Sequence, residues 1–164
     1  MPQRIDLETR VTLSILDRLI DEQPDQSEEP LSSRLQDLRA LKKSLWRDLS
    51  NLLNTKRRDP EVPDAFDEVR PTLVNYGIPD FTSWSLRDPN EQNRLRRAVE
   101  LAIRNFEPRL SGVTVSLQAR DELDTSLRFR VDALLRIDPA PEPVAFDTVL
   151  QPDVGHFVVV GESR

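Results

Sequence analysis

Leucine recurs at positions 35, 38, 41, 45, 49 and 52, in steps of three and four. That spacing puts all six on one side of an α-helix, with Trp46 and Leu53 widening the stripe. Ser33 with Gln36 is a capping-box pattern, so the helix is predicted to begin near Ser32 or Ser33 and end near Asn54. It would span roughly 30 Å. An earlier helix is predicted over residues 4–20, where Val11, Ile15 and Leu19 form one row and Leu13, Leu16 and Ile20 lie beside it. Its apolar face is wide enough to meet a partner as well as the protein's own core. A third helix opens at Asp88-Pro89-Asn90-Glu91, with Asp88 as N-cap and Pro89 at the first helical position. Leu95, Val99, Ala102 and Phe106 line its apolar face, with Ala98 and Ile103 close by.

After Pro108 the period changes from helical to two. Val113, Val115 and Leu117 alternate, and Leu127, Phe129, Val131, Ala133, Leu135 and Ile137 do so more cleanly, with Arg128, Arg130 and Asp132 opposite. Val144, Phe146, Thr148 and Leu150 continue the pattern, and residues 157–160 make a last strand. Turns are predicted at 121–125 and 152–155, and Pro139 to Pro143 is a stiff connection. Helices followed by strands imply an α+β fold, with N-terminal helices packed on a C-terminal, mainly antiparallel sheet. We expect a single domain over residues 1–164, helical over residues 1–107 and sheet-forming over residues 112–161. Leu45, Leu49 and Leu52 are expected to face Phe129 and Val131 across the helix–sheet interface.

The junction Asn105-Phe106-Glu107-Pro108-Arg109-Leu110 lies where one period gives way to the other. The residue before a proline is pushed out of the α region, so Glu107 is expected to be extended. Pro108 cannot continue the helix. Residues two apart in an extended segment point to the same side, which makes Glu107 and Arg109 an acid–base pair on a stiff, protruding turn. The plainer alternative is a helix end carrying a surface ion pair. Leu73 to Phe81 is a rigid, packed loop in which Gly77 takes a left-handed conformation after a short helical turn. Lys56-Arg57-Arg58 follow the leucine helix, where cations suit the negative helix end; a nucleic-acid patch is the alternative.

Composition narrows the chemistry. The 164 residues carry a net charge of −6 with 32% charged residues, which disfavours nucleic-acid binding. Cysteine is absent, so there is no thiolate chemistry. No apolar run approaches a membrane span, and residues 1–10 lack an apolar signal core; a cytoplasmic protein without direct membrane insertion is expected. The four glycines form no phosphate-cradling loop. His156, the single histidine, sits beside a turn glycine and reads as a turn residue. No metal-ligand spacing occurs, and no cofactor is expected. Glu107, beside Phe106, is the one acid in an apolar setting, and an adjacent guanidinium favours its carboxylate over the acid form. No catalytic residue is assigned.

Three longer segments carry a family resemblance. Leu45-Trp46-Arg47-Asp48-Leu49-Ser50-Asn51-Leu52-Leu53-Asn54-Thr55-Lys56-Arg57 resembles the RDLxxLLNTR signature of the TssE family of type VI secretion baseplate subunits. Residues 73–81, LVNYGIPDF, are similar to its LxNYGLPDF signature, and Glu107-Pro108-Arg109 matches the EPR motif shared with a wedge subunit of contractile-phage baseplates. Ser14 to Leu19 resembles its LDRL segment, and Phe146-Asp147-Thr148 its C-terminal strand. The resemblance implies a non-enzymatic protein in the baseplate wedge beside the TssF–TssG core bundle, providing the first layer for the TssB–TssC sheath. It assigns Glu107, Pro108 and Arg109 to the core-bundle contact. The apolar strand around Phe157 and Val159 is a candidate edge for sheath strands, although an interior strand explains it equally well. A peptidoglycan hydrolase, suggested by the older lysozyme-like label of phage relatives, is the competing class. A free-standing regulatory module is a third.

Overall fold

A computed structural model describes residues 34–57, 67–69, 72–118, 126–151 and 153–161, with Ile15 and Leu19 as single helical positions. Both of those side chains are exposed. The rest of the predicted first helix, the Ser33 cap, the acidic loop and the 121–125 turn lie outside the described residues.

Helix α1 spans Arg34–Asn54. Its leucine stripe is the core side: Leu41, Leu45, Leu49, Leu52 and Leu53 are buried. The chain then enters strand β1, Lys56–Arg57, which pairs in parallel with β2, Ile78–Pro79. Of the three cations that follow α1, Arg58 lies outside the described residues and the other two have side-chain partners. Lys56 reaches Asp80 at 3.6 Å, and Arg57 Nη1 donates to Asn75 Oδ1 at 3.3 Å. Between the two strands, Leu73–Asn75 forms a 3-10 turn and Gly77 follows with φ 101°. A Cβ at Gly77 would collide with the Thr55 carbonyl oxygen, and the next amide, Ile78 N–H, donates to that oxygen at 2.9 Å. Only glycine accepts both the left-handed backbone and the close approach.

Helix α2 spans Pro89–Phe106, and the Asp88 side chain accepts from Asn90 N–H as predicted. Leu95, Val99, Ala102 and Ile103 form its buried face. Strands β3 (Leu110–Leu117), β4 (Leu127–Leu135), β5 (Glu142–Gln151) and β6 (His156–Val160) follow. They make one antiparallel sheet in sequence order, so β3 and β6 are its edges. The alternation holds strictly in β4, where Leu127, Phe129, Val131, Ala133 and Leu135 all face inward.

The α+β expectation is met, and the helix-to-strand assignment is refined. Helix α2 lies on β3, whereas α1 lies against β6 and α2. Leu45, Leu49 and Leu52 share one core cluster with Phe129 and Val131, yet the strand nearest α1 is the last and not β4. A helical stripe fixes which face is buried and leaves open which strand it covers.

Leu49 is fully buried. Leu49→Ala is expected to cost about 2–5 kcal/mol through lost burial and a residual cavity, read from urea unfolding. An unchanged unfolding midpoint would place the stripe at the surface.

Candidate functional site

The last turn of α2 delivers the chain to Glu107, which takes φ −119° and ψ 83° and caps the helix by donating its N–H to Ile103 O. Pro108 is exposed at the bend, and Arg109 then turns back. The expected pairing of Glu107 with Arg109 is present as a fork. Arg109 Nε donates to Glu107 Oε1 at 2.7 Å, and Nη2 donates to Oε2 at 2.6 Å. Such a two-point pair fixes orientation as well as charge.

The pair does not protrude, which corrects the sequence expectation. Glu107 is 4% exposed and the fork lies against α1. Arg109 Nη2 also donates to Asp48 Oδ2 at 2.7 Å, and Nη1 donates to Ser44 Oγ at 3.0 Å. Ser44 and Asp48 are four residues apart, hence on one face of α1, at the border of the leucine stripe. Arg47 Nε and Nη2 donate to the other Asp48 oxygen at 3.1 and 3.0 Å. The Glu107 hydrogen bonds hold Arg109 protonated more firmly than usual, against the opposing effect of burial; the charges of Glu107 and Asp48 add to this. Its cation is therefore a permanent feature of the fold.

Tyr76 stands beside this cluster. Its ring meets Phe106 edge-on, with centroids 5.3 Å apart. Burial raises the Tyr76 phenol above its ordinary value, and the nearby Asp48 and Glu107 carboxylates raise it further. Three segments singled out by sequence thus converge: the Asp48 helix, the Tyr76 loop and the Glu107–Arg109 turn. Sequence reading did not pair Asp48 or Ser44 with Arg109. Their i, i+4 spacing beside the leucines was the available signal.

The second candidate site is elsewhere, at the C-terminal end of α1. Phe157 is buried and Val159 half-buried, so their side chains serve the core. Their backbone groups face away from β5. The Asn54 amide grips Phe157 on that side: Phe157 N–H donates to Oδ1 at 2.8 Å, and Nδ2 donates to Phe157 O at 2.9 Å. His156 is exposed at the start of β6.

Residues 39–140 match the family described as baseplate wedge protein gp25, and the chain belongs to that family. The matched span contains the whole Arg109 cluster and ends before β5. Among solved structures, a chain of "The baseplate complex from the type VI secretion system" is 18% identical, with a TM-score of 0.44. That match covers 66% of this chain and 93% of the other. No curated protein matches.

Titration of the single tyrosine tests the cluster. Phenolate absorbance should appear at higher pH in the folded protein than in urea, where the midpoint is near 10. Because the folded value is raised, Tyr76 contributes stability below about pH 10 that is lost as pH climbs through the folded midpoint. Asp48→Asn should bring the folded midpoint back toward the unfolded one. Coincident folded and unfolded curves would show that Tyr76 does not sense Asp48 or Glu107.

Proposed function

We propose that this member of the gp25 baseplate wedge family is a non-enzymatic structural subunit of a type VI secretion baseplate. It links the TssF–TssG core bundle to the TssB–TssC sheath, templates the first sheath layer, and sits in the cytoplasm near the inner membrane. The observation that carries this reading is the family match over residues 39–140, within which all the Arg109 partners fall. No described helix is long and apolar enough to cross a membrane. Against hydrolysis, both Glu107 oxygens already accept from Arg109, which engages the carboxylate as an acceptor and not as a proton donor.

The Glu107-Pro108-Arg109 turn is the core-bundle contact. The fork beneath it holds the turn in one conformation before binding, which lowers the ordering cost of association. Pro108 is the exposed member that a partner meets first. Glu107 and Arg109 support it from below, with Arg109 still partly reachable. At the C-terminal end of α1, the β6 edge receives sheath strands by strand addition.

The test separates contact from folding. Pro108→Arg should leave the urea midpoint unchanged and weaken capture by TssF–TssG at least about tenfold, or about 1.4 kcal/mol. Glu107→Ala, by contrast, should lower both, because Arg109 loses its two-point partner. Full capture and normal secretion by the Pro108→Arg protein would remove the turn from the interface.

A further inference from the structure

The two edges of the sheet are finished differently. On β3, Val115 lies opposite Val131 with its own N–H and C=O directed away from β4. Its N–H donates to Glu100 Oε2 at 3.2 Å, and its C=O accepts from Arg96 Nη1 at 3.0 Å. Just before it, the Val113 C=O accepts from Arg104 Nε at 3.1 Å and Nη2 at 2.7 Å. Arg96, Glu100 and Arg104 are spaced by four on α2 and hold one another: Arg96 to Glu100 is 3.0 Å and Arg104 to Glu100 is 2.9 Å. The row reads donor, acceptor, donor against acceptor, donor, acceptor. It presents to β3 what a neighbouring strand would present.

On β6, Asn54 fills the outward groups of Phe157. Val159 is the next residue facing outward by the antiparallel alternation. Among the described residues none hydrogen-bonds those Val159 groups. The flanking Val158 and Val160 side chains are exposed. An edge of this kind is competent to pair with another chain.

We infer that the Arg96–Glu100–Arg104 row seals β3 against strand addition, and that Asn54 sets the limit on β6, so that an extended segment of another protein adds only from Val159 onward. The inference takes its partner from the strand-addition reading above and goes beyond it by fixing the edge and the register. A second copy of this chain is the poorer occupant. In a symmetric antiparallel pair of β6 edges centred on Val159, Phe157 of each copy would face Gly161 of the other. Asn54 already holds Phe157, so only the central rung could form. A foreign strand carries no such plug and continues past Val159 toward Gly161.

Amide exchange on the free wild-type protein gives the first test and needs no variant. Val115 should exchange more slowly than Val159 by about tenfold or more; equal rates would overturn the seal. The second test is Glu100→Ala combined with Arg104→Ala, compared with Glu100→Gln, which keeps an oxygen acceptor for Val115. The double variant should lose Val115 protection and self-associate in sedimentation, while Glu100→Gln remains monomeric. A cooperatively melting, monomeric double variant with a fast Val115 amide would overturn the seal. TssB–TssC should then protect Val159 in the wild-type protein, and Val159→Pro should abolish sheath initiation. New protection at Leu117, the next β3 residue whose amide faces outward, would instead overturn the confinement to β6. Absence of protection at either edge would refute sheath strand addition and the β6 assignment together, while the free-protein exchange still reports separately on the β3 seal.

Discussion

A single guanidinium joins regions of the chain that are far apart in sequence. Arg109 is bound on one side by Glu107, its neighbour across a proline, and on the other by Asp48, 61 residues away on α1. Glu107 is nearly inaccessible to water, and a carboxylate there is tolerable only while its partner stays in place. The helix end, the turn into the sheet and the orientation of α1 are consequently coupled. Moving α1 away from the junction would strip Arg109 of Asp48 and Ser44 and open Glu107 to solvent. The exposed Pro108 inherits its rigidity from this arrangement.

The same helix is fixed again at its C-terminal end, by different chemistry. Thr55 O accepts the Ile78 amide beside Gly77, which ties the loop of residues 73–81 to the helix exit. Asn54 then reaches the backbone of Phe157 on β6. Thus α1 is held by ion pairing near its middle, by backbone pairing just past its end and by an amide at its last residue. The leucine stripe between these points supplies the burial that makes them worth holding.

Much of the fold could be read from the residues themselves. Strict alternation in β4, the Asp88-Pro89 start of α2 and the glycine at position 77 each have a local physical cause, and each is where the sequence placed it. The pairing of Glu107 with Arg109 was expected from an extended segment, whereas residues 107–110 form a turn, with Leu110 N–H donating to Glu107 O at 3.1 Å, and the fork closes across it. What stayed hidden depends on contacts across the fold. Nothing local shows that Asp48 completes the fork, or that a charged residue before a proline turns inward. The row Arg96, Glu100 and Arg104 has an obvious helical spacing, yet it reads as a solvated face until β3 is laid beside it. The leucines likewise declared a buried face without declaring that β6 covers it.

The central claim is that Arg109 and Asp48 are energetically coupled, so that the junction and α1 behave as one unit. A double-mutant cycle with Arg109→Ala, Asp48→Ala and the double variant, read by urea unfolding, measures this directly. Residues sharing one charged network couple by roughly 0.5–3 kcal/mol, and with Nη2 to Oδ2 at 2.7 Å the upper half of that range is expected. Single-variant effects that simply add, within about 0.3–0.5 kcal/mol, would contradict the account and reduce the Asp48 contact to a passive neighbour of the turn.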